Sequence, residues 1–278
     1  MKIYQPKHTI KALYKDTYTI NDYGIGQGKV QMYLLVGTEK ALLIDSGYGL
    51  LDLKAIIRTV TDKPVICVCT HGHLDHAPGA CQFEEAYLHS RDFDVYKKHT
   101  SPELINTLAM DGLLIKPPKR MRNNPSYQGL AAQMAQKKYP PLRTLDEVEA
   151  FDLGGRLITW RPIPGHTQGS IAIIDEASKT AFDGDAAAPG AWLFLEESGS
   201  LPDYLAALDE YRSFLLERGI LRRYVGHSGS ALRDKSLQKL MQCVQVAIAK
   251  PNKGFKVKSP LGNARIVFAG GSLLFCGR

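Results

Sequence analysis

The sequence predicts a layered α/β fold. Short β-prone apolar runs alternate with amphipathic helical segments in both halves of the chain, and one run, Val65 to Thr70, is apolar almost throughout. A run of that kind is a strand covered on both faces, which requires further layers on either side. With 278 residues, 44% of them hydrophobic, the chain is long enough to bury one large core.

Lys29 to Val36 and Lys40 to Asp45, separated by Gly37-Thr38, predict a strand hairpin. From Leu50 onward, Leu53, Ile56, Ile57 and Val60 recur at helical spacing, and Pro64 then opens the buried strand. A short strand at Ala86 to His89 and a helix from Arg91 follow. Between about Ser101 and Leu145, Pro102, Pro117-Pro118, Pro125 and Pro140-Pro141 exclude one long helix, so this stretch reads as an insertion of short helices. Strands resume at Arg156 to Arg161, Ser170 to Asp175 and Thr180 to Phe182. Helices are expected at Leu201 to Glu217, with Tyr204, Leu205, Leu208 and Tyr211 on one face, and at Leu232 to Lys250. Arg265 to Phe268 and Ser272 to Cys276, around Gly270-Gly271, predict a terminal hairpin. The whole of 1–278 is expected to be a single domain carrying the 101–145 insertion.

The five cysteines (Cys67, Cys69, Cys81, Cys243, Cys276) are too few and too irregular for a disulfide framework, and Cys67 and Cys69 read as small core filler. The N-terminal residues lack the apolar core of a secretory signal, and no apolar run reaches the length of a bilayer span. A cytoplasmic protein with no membrane partner is expected. The formal net charge is +7, and nine basic residues against two acidic ones between Lys97 and Arg143 place the excess in the insertion, the remainder summing to zero. Such a segment can attract an anion or serve only as a solvated surface.

The chemistry is concentrated in Thr70-His71-Gly72-His73-Leu74-Asp75-His76, where four metal-capable side chains fall within six residues directly after the buried strand. Imidazole suits zinc, iron or nickel, and a carboxylate adds charge for a second cation. One metal with an open position needs three protein ligands, and two need about twice that. His166 in Pro164-Gly165-His166-Thr167, Asp185 in Phe182-Asp183-Gly184-Asp185, and His227 in Val225-Gly226-His227-Ser228 are polar residues in glycine-containing loops at strand ends. Asp45, after Leu42-Leu43-Ile44, suits a hydrogen-bond partner for a ligating imidazole, or else a turn or helix cap. His8, His89 and His99 fit no motif and read as surface or packing residues.

These motifs resemble the metallo-β-lactamase superfamily. The HxHxDH pattern matches His71 to His76, the early Asp-Ser-Gly turn matches Asp45-Ser46-Gly47, and five of the eight histidines fall on motif positions between about Val30 and His227. The resemblance implies a four-layer αββα sandwich of two mixed sheets with external helices. It also implies two divalent metals, zinc foremost, with iron, manganese or nickel as alternatives. One would be held by His71, His73 and His166, the other by Asp75, His76 and His227, with Asp185 bridging. Only the family pattern chooses Asp185 over Asp183.

The implied reaction is hydrolysis of a small carbonyl substrate (thioester, lactone, lactam or ester) by a hydroxide held on the metals, with Asp75 orienting it alongside His71 and His73. The alternative is a phosphodiesterase or nuclease whose anionic substrate meets the basic insertion. Against that, Met110, Met121, Tyr127 and Met134 in the same insertion suit a lid over an apolar pocket, and no nucleic-acid-binding arm is recognisable. The superfamily's diiron redox members carry a carboxylate where this chain has His73, together with a flavin domain for which there is no room.

Overall fold

The computed structural model describes residues 7–23, 29–110, 125–259 and 261–277. They form two compact units, Met1–Glu147 with Asp152–Gly155, and Val148–Phe151 with Arg156–Arg278.

The first unit is built on a seven-stranded sheet whose spatial order follows the chain. β1 (His8–Tyr14), β2 (Thr17–Asp22), β3 (Val30–Val36) and β4 (Ala41–Ile44) are successively antiparallel. From β4 the sheet becomes parallel, and a parallel step needs a crossover. α1 (Leu53–Arg58) supplies it, capped by the Asp52 carboxylate accepting from Ala55 N–H and burying Leu53, Ile56 and Ile57 on the face that the sequence spacing predicts. β5 (Val65–Val68) lies between β4 and β6 (Ala86–Leu88), both parallel to it, and Ile66, Cys67 and Val68 are buried as the apolar run predicts. Cys67 and Cys69 sit fully buried in the core as filler. β1 had no clear signal, because its residues are half-exposed to exposed and so lack a buried apolar face.

After α2 (Phe93–His99) the insertion holds α3 (Pro102–Met110) and α4 (Pro125–Gln136), each opening on a proline, where the missing N–H costs nothing. Ile105, Leu108 and Met134 are buried. Met121, Lys116, Lys119, Arg120 and Arg122 lie outside the described residues. β7 (Arg143–Thr144) returns the chain to the sheet beside β6, again parallel.

The second unit has two sheets. β8 (Ala150–Asp152), β9 (Leu157–Pro162), β10 (Ile171–Asp175), β11 (Thr180–Phe182), β13 (Arg222–Val225) and β14 (Ser228–Leu232) form a mixed sheet in which β11 and β13 are parallel neighbours. β12 (Ala191–Leu193), β15 (Phe255–Ser259), β16 (Gly262–Ala269) and β17 (Ser272–Cys276) form a four-stranded sheet that extends the predicted terminal hairpin by a strand on each side. α5 (Leu201–Glu217) and α6 (Asp234–Ala249) share a core with both sheets, through Tyr204, Leu208, Leu240 and Val244 among others. Each fully buried Leu or Val there contributes roughly 1.5–3 kcal/mol. Among the described residues no helix is long and apolar enough to cross a membrane.

Candidate metal centre

In the first unit, the ends of two adjacent parallel strands deliver the chemistry. Asp45 follows β4, His71 follows β5, and Asp45 N–H donates to the Val68 carbonyl at 3.0 Å, which locks the two strand ends together. Asp45 takes φ +59°, a left-handed conformation that aspartate tolerates better than most residues. Its carboxylate, fully buried, accepts from Thr70 N–H at 2.7 Å, from Thr70 Oγ1 at 2.9 Å and from His76 Nδ1 at 2.8 Å. A carboxylate only accepts, so the Thr70 hydroxyl hydrogen is committed to Asp45. Thr70 Oγ1 is therefore the acceptor for His71 Nδ1, 3.1 Å away. One buried carboxylate thus puts the protons of His71 and His76 on Nδ1 and their lone pairs on Nε2, the tautomer a cation needs.

The four motif side chains converge. The His71 ring lies 4.7 Å from that of His73 and 4.1 Å from that of His76, and Asp75 Oδ2 is 3.7 Å from His76 Nε2. His71, His73 and His76 are buried, while Asp75 is a quarter exposed.

α2 braces this loop from behind, through residues that carried no signal in the sequence. Asp92, fully buried just before the helix, accepts from Gly72 N–H at 2.8 Å. His99, in the last turn, is buried; its Nδ1 accepts from Leu74 N–H at 3.3 Å and its ring stacks 4.5 Å from that of His73. His99, which fits no motif, thus lies against a metal-capable side chain. Gly72 has to be glycine, because a Cβ there would come within 2.8 Å of both the Asp92 carbonyl oxygen and the Tyr96 nitrogen. Asp92→Ala would strand a buried amide at a cost of about 1–3 kcal/mol. The expected result is that loss in urea denaturation together with weaker metal retention, with Asp92→Asn, which keeps an acceptor, recovering most of both.

The second unit repeats the arrangement at the ends of parallel β11 and β13. Asp183 N–H donates to the Tyr224 carbonyl at 2.8 Å and Gly226 N–H to that of Gly184 at 2.8 Å, so the loops bearing Asp185 and His227 leave side by side. Asp185 Oδ2 lies 3.1 Å from His227 Nε2 and 4.0 Å from His166 Nε2. His166 is buried and His227 is exposed. His166 Nδ1 donates to the Trp192 carbonyl at 2.9 Å, which again leaves the lone pair on Nε2. Its loop is held by Ser198 Oγ donating to the His166 carbonyl at 3.0 Å, and by Gly165, whose missing Cβ makes room for the Tyr204 ring.

Asp183 is fully buried and engaged by Arg223 Nη1 at 2.5 Å and the Tyr211 hydroxyl at 2.5 Å. Burial pushes its carboxyl above the usual carboxylate range, and the Arg223 guanidinium pulls it back. Both its oxygens serve the core, whereas Asp185 stands beside two histidines. Of the lid candidates, Met134 is buried, Met110 ends α3, Tyr127 lies in α4 and Met121 falls outside the described residues.

This donor chemistry fits divalent cations: three buried imidazoles in the first unit and one in the second, three of them held in the Nε2 lone-pair tautomer, with a carboxylate beside each group. The family model of the metallo-beta-lactamase superfamily matches residues 25–227. The chain belongs to the metallo-β-lactamase superfamily. It is a hydrolase, and its mixed sheets and helices have that superfamily's fold. Among curated proteins it is similar to the acyl-coenzyme A thioesterase MBLAC2 of Gallus gallus, 27% identical over 72% of each chain, and to that of Homo sapiens, 24% identical over 72% of this chain and 73% of the other. Among solved structures it resembles the metallo-β-lactamase FIM-1 of Pseudomonas aeruginosa, with TM-score 0.61 and 17% identity over 88% of this chain and 99% of that one. A metallo-β-lactamase from Pontibacter korlensis gives TM-score 0.57 and 18% identity over 86% and 99%.

Proposed function

We propose that this hydrolase cleaves acyl thioesters, with acyl-coenzyme A as the substrate class. The observation that carries the reading is its similarity to acyl-coenzyme A thioesterases over 72% of its length. His71, His73 and His166 would hold one divalent cation, Asp75, His76 and His227 a second, with Asp185 shared. Zinc is favoured by the histidine-rich donor set and by the FIM-1 neighbour, described in a mono-zinc form. When bound, such ions supply hydroxide at neutral pH and polarise the substrate carbonyl.

The protein's own groups do the rest. Asp45 and Thr70 hold two imidazoles in one tautomer, and the Trp192 carbonyl does so for a third. Asp75, the acid of the first cluster with solvent access, orients the attacking water and takes up its proton. Water adds to the thioester carbonyl, the C–S bond breaks, and the thiolate leaves to collect a proton. The 101–145 insertion is assigned the part of a substrate-facing lid within a single domain. A reducing, cytoplasmic setting suits five cysteines that are all unpaired.

The nine-to-two basic excess of 97–143 favours a phosphodiester as the second reading. In the described part, however, the Lys137 ammonium is spent on the Gly49 carbonyl. The test is metal analysis of the purified protein followed by turnover of acyl-coenzyme A thioesters, p-nitrophenyl esters, a lactone and bis(p-nitrophenyl) phosphate. The highest kcat/KM is expected on the thioester. Turnover of the phosphodiester alone would reverse the assignment.

A further inference from the structure

Among the described residues, the C-terminal sheet carries apolar side chains on both faces, packed into the core on one and partly to largely exposed on the other. Val267, Leu274 and Cys276 point inward and join the core with α6. On the opposite face, register places Trp192 beside Phe275, Phe275 beside Ile266, and Ile266 beside Phe255, an apolar row across all four strands. Phe268 and Leu273 pair in a second row. Phe255 is 71% exposed, Phe268 56% and Trp192 38%. Large aromatic side chains clustered on one sheet face are the kind of patch that marks an interaction surface.

Its charge says what it meets. Although the chain outside 97–143 is neutral in sum, residues 250–278 hold six basic residues and no acidic one. Arg265 is buried and donates to the carbonyls of Lys250 and Lys253, fixing the turn that presents those lysines. Lys250, Lys253, Lys256 and Lys258 are exposed around Phe255 on and before the edge strand β15. Lys256, in register with Arg265, and Lys258 leave the face opposite Phe255, so their ammonium groups reach the rim of the aromatic face through long stems at the open edge of β15.

We propose that this face docks on an anionic lipid surface, with the aromatic side chains entering the interface and the lysines meeting headgroup charge. A second copy of the chain is disfavoured, because two such faces would bring like-charged lysine edges together. An acyl chain lying on the face would explain the aromatic rows and leave the lysines at its far edge without a role. The proposal reverses the expectation of no membrane partner while requiring no spanning segment.

The experiment is co-sedimentation of the full-length protein with vesicles of phosphatidylcholine alone and of phosphatidylcholine mixed with phosphatidylserine. Partitioning is expected on the anionic vesicles and should weaken as salt rises. Phe255→Ser with Phe268→Ser should lower it roughly tenfold or more, and Lys253→Gln with Lys256→Gln about thirtyfold. Both variants should keep the wild-type thermal melt and the wild-type turnover of whichever soluble substrate the protein hydrolyses. Equal sedimentation of wild type and variants overturns the proposal, as does its absence with both vesicles. So does a wild-type dimer that the phenylalanine variant dissociates, or a rise in KM for long-chain thioesters without vesicle binding.

Discussion

His71→Ala is expected to abolish metal uptake and to lower turnover by roughly a thousandfold or more, the scale of several kcal/mol of transition-state stabilisation that a cation supplies. His71 is 1% exposed, its Nδ1 proton is fixed through Thr70 by Asp45, and its ring lies within 5 Å of both His73 and His76. Removing it takes away a donor whose neighbours cannot shift to replace it. The measurement pairs metal stoichiometry with kcat/KM on a thioester, and far-UV circular dichroism should be unchanged. Full activity with a full metal complement in the variant would sink the assignment. Wild-type protein stripped by a chelator should show the same loss and recover on addition of zinc.

Asp183→Ala is expected to cost about 3–5 kcal/mol of stability, because it leaves Arg223 charged and buried with its main partner gone. Arg223 is 1% exposed, Asp183 is fully buried, and Tyr211 donates to the second carboxylate oxygen. Urea denaturation should show the loss. The double variant Asp183→Leu, Arg223→Met should recover much of it, since a matched apolar pair leaves no orphaned charge. Asp185→Ala should behave the opposite way, losing metal with little change in the unfolding midpoint. A large metal deficit in a stable Asp183→Ala protein would show that the two aspartates have been assigned in the wrong order.

Much of the fold was legible because periodicity reports burial directly. The face of α1, the run at β5 and the limits of β11 and α5 all follow from residues that interact with near neighbours in the chain. β1 was illegible because a half-exposed edge strand has no hydrophobic alternation to read. β12 and β15 were illegible because each is short or exposed and becomes a strand through its partner in the sheet. The sequence was also misleading about charge. A remainder that sums to zero concealed a C-terminal stretch with six basic residues and no acidic ones.

By itself the sequence determined the family and the first group of candidate ligands, because His71, His73, Asp75 and His76 are placed by local spacing after a strand whose burial is written in its composition. Tertiary structure decided which partner each donor has. It separated Asp183 from Asp185 through an arginine 40 residues away, gave Asp45 two imidazoles to orient, set His99 and Asp92 behind the loop, and turned one face of the last sheet outward. The reason is physical. Ligand identity is a property of a residue and its neighbours in the chain, whereas tautomer, charge state and exposure are set by groups that only folding brings within hydrogen-bonding distance.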